Sequence, residues 1–202
     1  MMLFADPVIP GLELREEFIS ADEEAQLVDH IEALGLSPFR FQGWTGKRLT
    51  RSFGWRYDFD DASFAETEPI PDWLAAIRAR AAKLAGLAPG DFAHALVVRY
   101  DPGAGIGWHR DRPQFDKVVG ISLGAATAMR FRQRTVSGFR RANVRLEPRS
   151  AYLLSGEVRR EWEHSIAAHE ALRFSITFRS LSELGLRSRS SPRPASAPPS
   201  AR

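Results

Sequence analysis

The amino-acid sequence predicts an α+β fold in which two helices near the N-terminus support a jelly roll or sandwich of short strands. Residues 20–86 contain two segments with apolar side chains at helical spacing. From Phe92 onward, short apolar runs alternate with turn residues, at 93–100, 117–123, 127–133, 142–146, 150–155 and 171–178. Short strands without a long helix between them are typical of these two architectures. With 202 residues and 44% hydrophobic content, the chain can bury one core, so we expect one domain.

The two helices are predicted by their ends and by their apolar stripes. Ser20 and Glu23 are spaced as a capping box, and apolar residues follow at 27, 28, 31 and 34 before Gly35 ends the segment. The second helix follows Pro69 and Pro71 and ends at Gly86, and its buried stripe consists of Leu74, Ile77, Ala81 and Leu84. Both helices therefore present one face to a core.

The charge of the chain is unevenly distributed. The net charge is +3, but residues 184–202 carry four arginines and no acidic residue, so the rest of the chain is close to neutral. We expect the ordered domain to span 1–181, with an aromatic and basic segment at 36–61 and a strand-rich core at 92–181. Residues 182–202, rich in Ser, Arg and Pro, should form a disordered basic tail.

Composition excludes several classes of protein. The chain has no cysteine, which rules out disulfides, thiolate-bound zinc and iron–sulfur clusters, so any metal must be held by His, Asp or Glu. No apolar run approaches the roughly 20 residues of a membrane helix, and no secretory signal is recognisable. We therefore expect a cytoplasmic protein without a membrane partner, and nothing in the sequence requires more than a monomer.

A His-x-Asp pair follows the turn-rich stretch 100–107. Residues two apart in extended backbone point to the same face, so the imidazole of His109 and the carboxylate of Asp111 can converge on a metal ion. His-x-Asp triplets also occur often by chance, so the pair alone does not establish a site.

A third ligand must come from the remaining histidines. Iron(II) chemistry with dioxygen needs two histidines and one carboxylate on one side of the metal, with the other positions left open. His164 follows the predicted strand 150–155 and precedes the last strand, and His169, in a predicted loop, is its rival. His30 and His94 suit surface or structural roles.

The last predicted strand has a polar face with two arginines. Arg173, Ser175, Thr177 and Arg179 alternate with the apolar residues 174, 176 and 178. If this face is turned to water, it belongs to an ordinary edge strand. If it is turned inward, the guanidinium groups need an anion, and a dicarboxylate held between the metal and Arg173 meets that need.

These residues resemble the AlkB-like branch of the iron(II)/2-oxoglutarate-dependent dioxygenases over roughly residues 42–181. The resemblance rests on four motifs in the order of the family: Arg99-Tyr100-x-Pro102-Gly103-x-x-Ile106-x-x-His109-x-Asp111, Ile121-Ser122-Leu123-Gly124, Ser155-Gly156-Glu157 with Trp162-x-His164, and Arg173-x-Ser175-x-Thr177-Phe178-Arg179. It implies a double-stranded β-helix, the jelly roll of this family.

The resemblance also assigns roles. His109, Asp111 and His164 would be the catalytic iron ligands. Tyr100, Arg173, Ser175 and Thr177 would contact 2-oxoglutarate, with Arg173 at its distal carboxylate and Arg179 near the carboxylate that chelates the metal. The chemistry implied is oxidative demethylation or dealkylation of nucleobases in DNA or RNA with Fe(II), dioxygen and 2-oxoglutarate, releasing succinate, carbon dioxide and formaldehyde.

The segment 36–61 is similar to the substrate lid of the family. It implies substrate contacts by Trp44, Arg51, Trp55 and Tyr57, with one aromatic ring stacked on a flipped base and Lys47, Arg48 and Arg51 on phosphates. Two positions depart from the family, since Val98 replaces an asparagine and Pro113 replaces an acidic residue that reads the base. These departures keep open hydroxylation of a tRNA modification or of a protein side chain. A jelly-roll binding module without enzymatic activity is a further alternative.

Overall fold

The computed structural model describes residues 9–41, 44–57 and 63–190. Its strands are β1 (Leu12–Arg15), β2 (Ser37–Phe41), β3 (Trp44–Tyr57), β4 (Phe64–Glu66), β5 (Phe92–Tyr100), β6 (Ala104–His109), β7 (Phe115–Gly124), β8 (Thr127–Thr135), β9 (Gly138–Leu146), β10 (Ala151–Leu154), β11 (Trp162–His169) and β12 (Arg173–Leu181). Its α-helices are α1 (Ala21–Ala33), α2 (Ala75–Ala85), α3 (Gly156–Glu161) and α4 (Glu183–Ser190). Short 3₁₀ turns at Asp72–Leu74 and Pro89–Asp91 flank α2.

The strands form two antiparallel sheets. The major sheet has the order β1-β10-β7-β12-β5-β3-β2, with β4 paired to β3, and the minor sheet has the order β6-β11-β8-β9. Strands that are distant in sequence are thus neighbours, as in a jelly roll, and the α+β prediction with two supporting N-terminal helices is confirmed.

The central strands of the major sheet have two different faces. On β5 and β12, the odd positions 95 and 97 and the even positions 174, 176 and 178 belong to the apolar core beneath α1 and α2. The alternate positions, 96, 98 and 100 on β5 and 173, 175, 177 and 179 on β12, line a pocket on the other face. The helices therefore cover one face and leave the other face for a site.

The helices begin and end largely as predicted. Ser20 and Glu23 form a complete capping box, with the Glu23 amide donating to Ser20 Oγ and the Ser20 amide to Glu23 Oε2. Gly86 ends α2 in the left-handed region at φ 64°, which glycine adopts without a Cβ clash. Arg80 of α2 contacts both carboxylate oxygens of Glu23, so the two helices are also linked by a bidentate ion pair.

Two strands of the minor sheet were not predicted. Residues 104–109 form β6, where the glycines suggested only a turn, and 162–169 form β11, which includes the predicted loop around His169. A Cβ on Gly105 would lie 2.7 Å from both Ala168 N and Ile166 O, so the glycine is needed for the close approach of β6 and β11. Glycine here marks tight strand packing rather than the end of a strand.

The prediction of disorder from residue 182 was wrong for its first part, since Glu183–Ser190 form helix α4. Ser182 anchors this helix, because its Oγ donates to Pro113 O and accepts from the Gly185 amide. The guanidinium of Arg189 lies 5.5 Å from the centre of the Trp55 ring. Side-chain anchoring of this kind is invisible in composition, and residues 191–202 of the predicted tail lie outside the described residues.

We expect Gly105→Ala to lower the free energy of unfolding by about 1–3 kcal/mol, because the added methyl group meets backbone atoms that cannot rotate away. Urea unfolding followed by circular dichroism measures the change. Gly107→Ala is the matched control, since a Cβ on Gly107 has nothing within 4 Å. Equal stability of the two variants would contradict the close-packing role of Gly105.

Candidate metal and co-substrate site

The inner face of the major sheet and the facing strands of the minor sheet enclose a pocket. Side chains from β3, β5 and β12 form one wall, those from β6, β8 and β11 form the other, and Tyr152 of β10 contributes as well. The lining residues are Arg48, Leu96, Val98, Tyr100, Ile106, His109, Met129, Tyr152, His164, Ile166, Arg173, Ser175, Thr177 and Arg179. The pocket is thus lined by His109, His164 and all four residues of the polar strand face selected from the sequence.

Strand pairing brings the predicted metal-binding histidines together. His109 ends β6 and is the direct register partner of His164 in β11. Their ring centres are 4.3 Å apart, and His164 Nε2 lies 3.9 Å from Asp111 Oδ2. His109 Nδ1 donates to the Gly107 carbonyl at 2.9 Å, which leaves Nε2 as the free ring nitrogen.

The side chains of His109, Asp111 and His164 lie near one another but do not form a preformed metal site. In the described part of the chain, no cluster of three or more acidic or histidine side chains already has the spacing of a metal centre. Asp111 directs Oδ2 toward His164, while its Oδ1 accepts from Arg179 Nε at 2.7 Å. One carboxylate oxygen is thereby fixed by the protein, and the other is left for an additional partner.

The charge states of these groups suit a metal ion. Burial alone would raise the pKa of Asp111, but the charge of Arg179, followed by His164 and His109, holds that pKa well below its usual range. Burial and the neighbouring His109 lower the pKa of His164 to about 3, and burial lowers the pKa of His109. An ionised carboxylate beside neutral imidazoles is the donor set that a divalent metal ion requires.

A second layer holds Arg179 in place. Arg179 Nη1 donates to His94 Nδ1 at 3.3 Å, and the His94 ring stacks on Phe115 with 5.0 Å between ring centres. Burial lowers the pKa of His94 well below its usual value, so the ring can accept this hydrogen bond. The sequence suggested only a surface or structural role for His94, although its shared face with residues 96, 98 and 100 was a usable signal.

Arg173 has the geometry of an anion-binding group. The side chain is 1% exposed, its Nη2 donates to Ser122 Oγ at 3.1 Å, and it lies 5.0 Å from the centre of the Tyr100 ring. Its Nε and Nη1 have no hydrogen-bond partner within the described ranges. Buried donors of this kind are costly unless an acceptor binds, so the pocket fits the distal carboxylate of a dicarboxylate.

Two pocket residues were not assigned to the co-substrate region from the sequence. Tyr152 lies over Gly120, where a Cβ would come within 2.2 Å of the ring, and burial raises the pKa of its phenol to about 12. Arg48, expected among the phosphate-contacting residues, is instead buried in the pocket with 8% exposure. In the sequence, Tyr152 falls within the apolar run 150–155. The face on which Arg48 lies depends on the register of β3, which the sequence does not show.

The register of β11 against β6 places His169 away from the predicted metal ligands. His169 pairs with Ala104 at the opposite end of β6 from His109. Its ring centre lies 6.4 Å from that of Tyr100, and neither ring nitrogen has a hydrogen-bond partner among the residues described. His169 therefore does not join Asp111.

The predicted substrate residues lie in different places in the structure. Arg51 pairs with Val97, a residue of the helix-facing core, and its Nη2 donates to Glu68 Oε2 at 2.7 Å, so its side chain lies on the face of β3 opposite the pocket. Tyr57 lies against Arg112, next to Asp111, with 4.4 Å from the guanidinium to the ring centre. Trp55 packs on Phe64 at 5.3 Å. Trp44 begins β3, but its side chain lies outside the described residues.

Two histidines and a carboxylate at one mouth of a jelly roll define the class of non-haem iron oxygenases. A profile of the 2OG-Fe(II) oxygenase superfamily matches residues 13–179, and the chain belongs to this family. The family is one of Fe(II)- and 2-oxoglutarate-dependent dioxygenases, so the protein is an oxidoreductase that requires both.

Sequence relatives place the chain in the AlkB-like branch. It is 28% identical over 217 residues to the alpha-ketoglutarate-dependent dioxygenase AlkB of Salmonella typhimurium, with 90% of this chain and 98% of that protein covered. It is also 28% identical over 162 residues to the tRNA (carboxymethyluridine(34)-5-O)-methyltransferase alkbh8 of Xenopus tropicalis, covering 78% of this chain. The chain spans about a quarter of the length of that second relative, 25%.

Solved structures support the fold. The structure of OsALKBH1 superimposes with a TM-score of 0.69 at 19% sequence identity, covering 86% of this chain and 98% of that one. The double-stranded β-helix predicted from the sequence motifs is therefore confirmed. In the described residues, no helix is long and apolar enough to cross a membrane.

We expect the free energy of unfolding of the metal-free protein to decrease as the pH falls below 6.5, the ordinary pKa of histidine. The reason is that His94, His109 and His164 bind protons in the unfolded chain but stay neutral when buried in the folded protein. The slope should reach up to about 1.4 kcal/mol per pH unit for each histidine. Protonation of Asp111 in the unfolded chain also lowers the free energy of unfolding, but only below pH 3.8, the ordinary pKa of this carboxyl group.

Urea unfolding between about pH 7 and about pH 4.5 isolates the histidine contribution from that of Asp111. His94→Gln should flatten the slope. A free energy of unfolding that does not change over this interval would contradict the burial of neutral imidazoles at the site.

Proposed function

We propose that this dioxygenase oxidatively demethylates or dealkylates nucleobases in DNA or RNA, using Fe(II), dioxygen and 2-oxoglutarate and releasing succinate, carbon dioxide and formaldehyde. The observation that carries the chemistry is one pocket lined by His109, His164 and Arg173, in which Arg173 has unpaired donors and Asp111 Oδ2 lies 3.9 Å from His164 Nε2. The similarity to a dioxygenase named AlkB supports the reaction class.

The metal ligands would be His109 Nε2, His164 Nε2 and Asp111 Oδ2. Fe(II) bound there supplies the activation of dioxygen for oxidation of a C–H bond. Arg179 would keep Asp111 ionised and oriented through the 2.7 Å hydrogen bond, and His94 would keep Arg179 in position. Hydroxylation of an N-methyl group gives an unstable hemiaminal, whose C–N bond breaks to release formaldehyde while the hydroxyl proton ends on the nitrogen of the demethylated base.

The co-substrate would extend from the metal ligands toward Arg173. Arg173 Nε and Nη1 would donate to its distal carboxylate, and the hydroxyl groups of Ser175, Thr177 and Tyr100 face the same pocket. Tyr152 adds a phenol whose raised pKa keeps it a hydrogen-bond donor. Val98 lines this pocket but has no polar group. The remaining hydrogen bonds to the co-substrate would therefore come from the hydroxyl groups.

An arginine face on the minor sheet supports a nucleic-acid substrate. We define it as the outward side chains of β8 and β9 together with Trp108: Arg130, Arg132, Arg134, Phe139, Arg141 and Arg145. Arg132 and Arg141 are direct cross-strand partners, and like charges in this position destabilise a sheet. Glu163 and Glu147 neutralise Arg132 and Arg145, respectively. The remaining arginines suit phosphates.

Aromatic rings lie within the arginine face. The guanidinium of Arg132 is 4.5 Å from the centre of the Trp108 ring and 4.7 Å from that of Phe139. Trp108 directly precedes the proposed ligand His109 in β6, so the arginine face extends to the strand that carries the site. Basic side chains interleaved with aromatic rings are typical of nucleic-acid-binding surfaces.

A second candidate is hydroxylation of a tRNA modification. It is favoured by the similarity to a protein named as a tRNA (carboxymethyluridine(34)-5-O)-methyltransferase. Pro113 supports it as well, because the position beyond Asp111 lacks an acidic side chain to read an alkylated base. The two candidates share the metal and co-substrate chemistry and differ only in the substrate.

The reaction is tested with purified protein, Fe(II), 2-oxoglutarate, dioxygen and a panel of N-methylated DNA and RNA oligonucleotides, with products read by mass spectrometry. We expect loss of one methyl mass and one equivalent of succinate per base, and no product from Asp111→Ala. Addition of one oxygen to a tRNA modification, with every methylated base left intact, would favour the second candidate. Product formation by Asp111→Ala would refute the site.

The arginine face is tested by the salt dependence of oligonucleotide binding. Arg134→Gln together with Arg141→Gln, both exposed, should reduce the slope of log K against log[salt] by about 1.4 for single strands, since each lost phosphate contact removes roughly 0.7. The control double variant is Arg15→Gln with Lys83→Gln, two exposed cations elsewhere. The same slope in both double variants would show that the arginine face does not bind phosphates.

A further inference from the structure

Arg48 is a buried arginine in the pocket with no role in the chemistry described above. It lies on β3, three residues before Arg51, and the alternation of the strand turns the two side chains to opposite faces of the sheet. Arg51 pairs with Glu68 on the helix side. Arg48 is 8% exposed and lines the pocket together with Tyr100, His109 and Arg179.

Arg48 has no anionic partner within the described residues. Its guanidinium lies 3.8 Å from the centre of the Phe39 ring, and the charged group that acts most on it is another cation, Arg179. None of the hydrogen bonds or ion pairs of the described ranges involves it. A largely buried cation without a counter-charge is destabilising, so the guanidinium of Arg48 suits an anion that arrives from outside.

The other two pocket arginines already have anions. Arg179 donates to Asp111 at 2.7 Å, and the free donors of Arg173 match the distal carboxylate of 2-oxoglutarate. The near carboxylate of 2-oxoglutarate is the one that chelates the metal. Once the co-substrate is bound, Arg48 is the pocket arginine that remains for the substrate.

We propose that Arg48 binds a carboxylate carried by the nucleobase that this enzyme oxidises. The inference rests on the proposed function in one respect, namely that the substrate is a nucleic acid. Arg48 shares the pocket with His109, so the group it meets belongs to the part of the substrate that enters the site, which is the base and not its phosphate. The planar fork of a guanidinium matches a carboxylate through two parallel hydrogen bonds.

The rest of the pocket supports this assignment. Leu96, Val98, Ile106, Met129 and Ile166 provide apolar surface. An uncharged base can pack on this surface, while a carboxylate on that base has Arg48 as its counter-ion. The carboxylate thus orients the base by charge, whereas the apolar residues exclude water from the ion pair.

The test uses two RNA stem-loops that differ in one group, a uridine bearing a 5-carboxymethyl group and the same uridine as its neutral methyl ester. Dissociation constants are measured by fluorescence anisotropy with the full chain, Fe(II) and 2-oxoglutarate under exclusion of oxygen, so that binding is observed without turnover. Wild type should bind the carboxylate about ten- to a hundredfold more tightly than the ester. Arg48→Gln should abolish this preference and Arg48→Lys should retain part of it.

Arg51→Gln is the matched control on the other face of the strand, and its preference should equal that of wild type. Equal binding of the two stem-loops by wild type, or a preference that survives in Arg48→Gln, would overturn the proposal. A KM for 2-oxoglutarate raised as much in Arg48→Gln as in Arg173→Gln would also overturn it, because Arg48 would then serve the co-substrate. Mass spectrometry of N-methylated oligonucleotides incubated in air tests the proposed function separately, since binding preference and demethylation are independent readouts.

Discussion

The ion pair between Arg179 and Asp111 is the interaction on which the site depends. Asp111 is almost fully enclosed, with a side chain 6% exposed, and a carboxylate in that position stays ionised only beside a compensating charge. Arg179 provides that charge from the last strand of the major sheet, and His94 of the neighbouring strand steadies Arg179. The charge state of one residue beyond β6 is thus set by two strands of the opposite sheet.

The jelly roll makes this convergence possible because it pairs strands that are far apart in sequence. His109 and His164 are direct partners across β6 and β11, although 54 residues separate them. Arg173 and Tyr100 are partners across β12 and β5 in the same way. The helices cover only the outer face of the major sheet, so the inner face can carry polar and charged residues that a fully apolar core would not tolerate.

Alternation within a strand allowed much of this site to be predicted, but it did not show which face is inside. The polar series 173, 175, 177 and 179 was correctly grouped because its members share one strand. His109 ends β6 and Asp111 lies two residues beyond it, so their grouping rests on closeness in sequence rather than on a shared strand. Arg48 and Arg51 look equivalent in the sequence, yet one is buried in the pocket and the other pairs with Glu68. The choice between them depends on the register of β3 against β5, which is a long-range property. Strands β6 and β11 and helix α4 were missed because close backbone packing and a side-chain anchor, rather than composition, determine them.

The central claim is that His109, Asp111 and His164 form one Fe(II) site at which 2-oxoglutarate also binds. Anaerobic titration of the protein with Fe(II) and 2-oxoglutarate, followed by visible absorption spectroscopy, tests it most directly, because chelation of Fe(II) by a 2-oxo acid produces a charge-transfer band. We predict that wild type develops the band at one equivalent of iron and that His109→Ala, Asp111→Ala and His164→Ala do not. A band of wild-type intensity in any of these variants, or none in wild type, would contradict the account.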